Sequence, residues 1–140
     1  MYGFGVIVFL LTLGSSLAQN YTHAQLLAGA DKGFQFIDIN NDTFVELTEL
    51  EGAWDLVDYN HDHQVSESEY EAGGSNHDFR GIIFQEMDYD GDGYVDHSAI
   101  MGQYVVMDTN ADNIVSRREF DIYYTALVER AIKNYGYLLG

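Results

Sequence analysis

Four short runs set carboxylates and side-chain amides at alternate positions: Asp38-Ile39-Asn40-Asn41-Asp42, Asp58-Tyr59-Asn60-His61-Asp62, Asp88-Tyr89-Asp90-Gly91-Asp92 and Asp108-Thr109-Asn110-Ala111-Asp112. A valine follows each run three residues on, and in three of the four a glutamate stands seven residues after the last aspartate. Oxygen-bearing side chains at every second position of a tight loop converge on one hard cation, and a glutamate at the start of the next helix supplies two further oxygens. The ion this chemistry suits is Ca2+.

The bulk of the chain agrees. Its 140 residues are 46% hydrophobic, enough for a real core in one small domain or two very small ones. A formal net charge of −17 opposes compaction, because like charges repel most when the chain is folded. Four bound divalent ions would remove roughly half of it. With only six Lys and Arg and no basic patch, nucleic acid is excluded as a partner.

No Asp, Glu, Lys or Arg occurs in the first thirty residues. Val6 to Leu13 form an apolar stretch, and Gly14-Ser15-Ser16-Leu17-Ala18 supplies small residues for cleavage after Ala18, so residues 1–18 are expected to be a secretory signal peptide. A membrane anchor needs about twenty apolar residues, and Ser15, Ser16, Gln19 and Asn20 interrupt the run too early. The expected location is therefore secreted and extracellular, with no membrane contact after cleavage. Without a single cysteine the mature chain cannot use disulfides, so metal and helix packing must stabilise it. Two sequons, Asn20-Tyr21-Thr22 and Asn41-Asp42-Thr43, are candidate glycan acceptors.

The elements that position the runs follow from an internal duplication with a period of fifty. Phe34-Gln35 aligns with Phe84-Gln85, Asp38 with Asp88, Gly52 with Gly102, and Val65-Ser66 with Val115-Ser116. Within each half the runs begin twenty residues apart, at 38 and 58 and at 88 and 108, whereas the central gap is thirty. Twenty residues leave no room for the chain to reverse, so Leu50 to Val57 and Ile100 to Met107 are each expected to be one helix shared by two loops. The central segment does allow reversal: Glu67 to Ala72 as a short helix, Gly73-Gly74-Ser75 as a turn with Ser75 a candidate N-cap, and Asn76 to Met87 as the next helix. Phe34 and Ile37, Trp54 and Val57, Phe84 and Met87, and Tyr104 and Met107 precede the loops at helical spacing and are expected core. Phe120, Tyr124, Leu127, Val128, Ala131, Ile132 and Tyr135 continue one stripe along a last helix running to about Tyr137.

Over Phe34 to about Tyr124 the chain resembles the EF-hand calcium-binding superfamily, and more loosely the small secreted EF-hand proteins of invertebrates. The resemblance implies an all-α fold, a helix-loop-helix array of four loops arranged as a duplicated two-loop unit with a shared central helix in each half. The organisation expected is a signal peptide at 1–18, an N-terminal segment with the incoming helix at 19–33, loops one and two in 34–72, a linker at 73–76, and loops three and four with the long C-terminal helix in 77–140. EF-hand loops pair through a short antiparallel bridge at their eighth residue, here Val45, Val65, Val95 and Val115. The spacing then couples loop two to loop three and loop one to loop four.

The family's ligand roles carry over position by position, with a backbone carbonyl at the seventh. Loop one offers Asp38, Asn40, Asp42 and Glu49 with the carbonyl of Phe44, and Glu46 beside a bridging water. Loop two offers Asp58, Asn60, Asp62 and Glu69 with the carbonyl of Gln64. In loop three the set is Asp88, Asp90, Asp92 and Asp96 with the carbonyl of Tyr94, and in loop four Asp108, Asn110, Asp112 and Glu119 with that of Ile114. Each loop departs from the pattern once. At the sixth position, where φ is positive and glycine is favoured, loops one, two and four carry Thr43, His63 and Asn113. A β-branched threonine tolerates that backbone worst, at roughly 1–2 kcal/mol or about tenfold in affinity. Loop three keeps Gly93 but has Ala99 at the twelfth position and loses both glutamate oxygens. Two or three ions are expected at millimolar calcium, loops four and two being the safest.

His61, His63, His77 and His97 are read as solvent-facing loop residues, and the eleven tyrosines as packing. No Ser-His-Asp set, glycine-rich phosphate loop or zinc-hydrolase spacing occurs, so no enzyme is expected. The expected function is a secreted low-affinity calcium buffer or matrix component, with calcium ions, mineral or extracellular matrix as partners. The alternative is a calcium-triggered sensor that opens an apolar groove, for which Met87, Met101 and Met107 are a poor supply.

Overall fold

The computed structural model describes residues 22–72 and 77–139. The signal peptide at 1–18, the Asn20 sequon, and the 73–76 linker with its Ser75 cap lie outside the described residues.

Helix α1 (His23–Ile37) starts at Thr22, whose hydroxyl accepts from Gln25 N–H while the Gln25 side chain accepts from Thr22 N–H, a reciprocal cap that satisfies two otherwise orphan donors. The first loop leads into β1 (Phe44–Val45) and α2 (Leu47–Asp55). The second leads into β2 (Gln64–Ser66) and α3 (Glu67–Ala72). Beyond the linker come α4 (His77–Met87), the third loop, β3 (Tyr94–Asp96) and α5 (His97–Met107). The fourth loop, β4 (Val115–Ser116) and α6 (Arg117–Tyr135) follow, and a 3-10 turn, Gly136–Leu139, closes the chain.

An all-α description needs one correction, since two small two-stranded sheets are present: β1 with β4 and β2 with β3, both antiparallel. Val45 faces Val115 and Val65 faces Val95, and all four are buried, so each bridge sits inside the apolar core. Chain spacing explains the pairing. Helices α2 and α5 each run directly from one loop to the next, so the loops at their two ends stand apart and find partners in the other half. Helix α2 stops at Asp55, two residues short of the expected Val57, and the last regular helix stops at Tyr135 rather than Tyr137.

The core collects the stripes read from the spacing. Phe34, Ile37, Trp54, Val57, Phe84, Met87, Tyr104 and Met107 are all buried. Helix α6 lies on α1 and α4 and buries Phe120, Tyr124, Leu127, Val128 and Ala131, while Ile132 and Tyr135 are half-buried. The Phe34 ring meets Phe120 edge-on at 5.6 Å, and the ion pairs Arg117–Asp31 and Arg130–Glu86 tie α6 to α1 and α4 at the surface. Burying each such aromatic or aliphatic side chain contributes about 1.5–3 kcal/mol.

Arg80 was not foreseen as an interior residue. Its guanidinium is fully buried, donates through Nη2 to the Tyr70 carbonyl and lies 5.0 Å from the centre of the Tyr70 ring. A cation at the last turn of α3 meets the negative end of that helix, and the contact fastens α3 to α4. Burial holds the Arg80 pKa below its ordinary value, against the pull of Tyr70. No described helix is long and apolar enough to cross a membrane.

Candidate metal-binding loops

The four loops share one hydrogen-bond frame. In each, the first aspartate accepts from two backbone N–H groups: Asp38 from Asp42 and Thr43, Asp58 from Asp62 and His63, Asp88 from Asp92 and Gly93, Asp108 from Asp112 and Asn113, all at 2.9–3.2 Å. Side chains at the third position, Asn40, Asn60, Asp90 and Asn110, accept from the fifth residue's N–H. Those at the fifth, Asp42, Asp62, Asp92 and Asp112, accept from the N–H of Phe44, Gln64, Tyr94 and Ile114. With those N–H groups turned onto the acidic side chains, the loop closes around its own oxygens.

Two left-handed residues per loop produce the turn. Thr43, His63, Gly93 and Asn113 at the sixth position have φ of 73°, 68°, 86° and 67°. The fourth position is left-handed as well, with Asn41 at 58°, His61 at 59°, Gly91 at 68° and Ala111 at 56°. Sequence reasoning missed this second requirement. An abundance of Asn, His and Gly at those positions was the available signal, because they are the residues that adopt positive φ at least cost. Asn41, the asparagine of the second sequon, is exposed on this turn.

The twelfth-position glutamates close three loops from the far side. Glu49 Oε1 accepts from Ile39 and Asn40 N–H at 3.0 and 3.3 Å, and its Oε2 from Glu46 N–H at 3.1 Å. Glu69 spans from Asn60 N–H to Ser66 N–H at 3.2 and 3.0 Å, and Glu119 from Asn110 N–H to Ser116 N–H at 3.3 and 2.9 Å. Each thus ties the outgoing helix to the loop's opening. Burial would raise the Glu119 carboxyl, but bonds from the Ser116 N–H and hydroxyl, the Thr109 hydroxyl and the Asn110 N–H together hold it below the ordinary range. Loop three has no such closure. There Asp96 turns to cap α5, its Oδ1 accepting from Ala99 N–H at 2.9 Å, so its carboxylate serves the helix.

Charge is concentrated where a cation would sit. The carboxylates of Asp58, Asp62 and Glu69 reach within 4.8 Å of one another, as do those of Asp88, Asp90 and Asp92. Within the second group the Asp92 N–H holds the Asp90 carboxyl low. The Tyr94 N–H lowers the Asp92 carboxyl, but desolvation and the neighbouring carboxylates of Asp90 and Asp88 outweigh it and the net shift is upward. In loop one the hydrogen bond to Glu49 and, behind it, burial and the like charges of Glu49 and Asp42 push Glu46 up to about 7. Hard oxygens crowded at this distance fit a divalent cation, whose charge relieves the repulsion between them.

Loops one and four are bridged by Tyr104. Its buried hydroxyl reaches the carbonyls of Val45 and Asn113 at 3.2 and 2.8 Å, and burial, then the charges of Asp108 and Glu46, raise its pKa.

Residues 80–98 match the family described as EF hand. The matched segment spans most of α4, the third loop and the start of α5, and ends one residue before Ala99, where the chain departs from the pattern. No curated protein and no solved structure matches the chain. The matched segment is thus similar to an EF-hand, a family whose loops take a divalent cation, as a rule calcium.

Proposed function

We propose that all four loops are EF-hands, built as a duplicated pair whose halves interlock, and that the protein is a secreted, low-affinity calcium-binding protein acting as an extracellular buffer or matrix component. The metal ligands in this reading are those assigned above except Asp96, whose carboxylate caps α5, and loop three is the weakest. The hydrogen-bond frame common to all four loops supports it most directly, because an Asp, Asn or Asp and Asp triad held by loop N–H groups recurs in every one. Substituted sixth positions and the alanine at the twelfth position of loop three fit the range of about 10⁻⁴–10⁻³ M at which extracellular modules work. Mineral or extracellular matrix is the partner class proposed for this acidic surface, and no enzymatic role is proposed, because the aspartates are assigned to cations.

A sensor must expose an apolar groove on binding calcium. Here α6 already covers the faces of α1 and α4, and Met87 and Met107 are buried. Those observations favour the buffer. An apolar-surface dye mixed with the protein at low and saturating calcium discriminates the two readings. The buffer reading expects little added fluorescence with calcium, and a large calcium-dependent rise would favour the sensor.

A further inference from the structure

Outside the calcium loops' oxygen shells, one recess gathers nitrogen and oxygen ligands from three elements. It measures about 350 Å³ and is lined by Glu51 and Asp55 of α2, His63 of loop two, and His97 and Ile100 of α5. Glu51 and Asp55 are one helical turn apart and so share a face of α2. His63 immediately precedes β2 and His97 immediately follows β3, and since Gln64 pairs with Asp96 the two histidines stand at the same end of that ladder.

We propose that this recess is a binding site for a zinc-class divalent transition ion, liganded by the imidazoles of His63 and His97 and the carboxylates of Glu51 and Asp55. His97 Nδ1 and Glu51 Oε1 lie 3.2 Å apart. Bonds of about 2.1 Å in tetrahedral geometry place two ligand atoms of one zinc ion roughly 3.4 Å apart, so this pair already has nearly the required separation. His63 and Asp55 are exposed and complete the set by rotating about their own side-chain bonds. Imidazole nitrogen is a poor ligand for calcium and a good one for zinc. The site therefore discriminates between the two ions by ligand type, and each occupies its own position. Ile100, buried beneath His97 one turn along α5, gives the recess an apolar floor.

The test is a calorimetric titration of the calcium-saturated full chain with Zn2+, repeated for His97→Gln, Glu51→Gln and His61→Gln. One zinc ion per chain is expected, with affinity at least about tenfold lower in the first two variants, since even outer-shell changes cost that much at metal sites. Affinity should be unchanged in His61→Gln, and calcium stoichiometry unchanged in all three. Imidazole NMR signals of His63 and His97 should move with zinc while those of His61 and His77 stay still. Zinc binding that survives His97→Gln unchanged, that is lost in His61→Gln, or that disappears when calcium is saturating would overturn the proposal.

Discussion

At the scale of single residues, each loop's departure from the pattern has a physical effect that can be reversed. Thr43 holds φ of 73° with a β-branched side chain, a strain of roughly 1–2 kcal/mol. Thr43→Gly should therefore strengthen calcium binding by loop one several-fold, up to about tenfold, as read by calorimetry. Ala99→Glu restores the twelfth carboxylate next to Asp88, Asp90 and Asp92, and should raise the number of calcium ions bound at 1 mM by about one. Glu46 titrates in the accessible range: its carboxyl is raised in the folded chain from 4.5 to about 7. The folded, calcium-free chain thus holds this proton more tightly than the unfolded one, so Glu46 contributes stability below pH 4.5 that is lost as pH rises to 7. Urea unfolding in chelator should show that loss in the wild type and a smaller one in Glu46→Gln. The first, third, fifth and twelfth positions were legible from residue type alone, because ligand chemistry is local. The left-handed fourth position and the turning of Asp96 onto α5 were not, since both depend on how backbone N–H groups are shared once the loop closes.

Among the elements, the twenty-residue spacing is the informative quantity. A helix too short to reverse the chain carries a loop at each end, so bridges form between halves: Val45 with Val115 and Val65 with Val95. The helices and their buried stripes were legible in the apolar spacing, and the short α3 matches its expected Glu67 to Ala72. Arg80 was not, because a charged residue on a helix reads as surface until the Tyr70 carbonyl and ring are seen beside it. Tyr104 was expected in the core for its ring, and its hydroxyl adds a link between two bridged loops that are distant in sequence. Tyr104→Phe keeps the packing but leaves the Val45 and Asn113 carbonyls without this donor, at a cost of about 1–3 kcal/mol. Denaturant unfolding of the two proteins checks that. If Tyr104 only packs, the variant will be as stable as the wild type.

For the whole molecule, the balance is between a charge of −17 and a core without disulfides. The acidic loops repel one another, the bridges hold them in pairs, and cations resolve the conflict, so stability and calcium occupancy should rise together. Composition alone suggests that coupling. It could not say whether α6 is free or docked, a question settled only by the complementary faces of α1 and α4. The central claim is that these loops bind calcium weakly and in partial number. A calcium titration of the chain from residue 19, with stoichiometry and helicity followed together, tests it most directly. The account predicts two or three ions with dissociation constants of about 10⁻⁴–10⁻³ M, accompanied by a gain in helicity. Four sites of submicromolar affinity, or no binding at millimolar calcium, would contradict it.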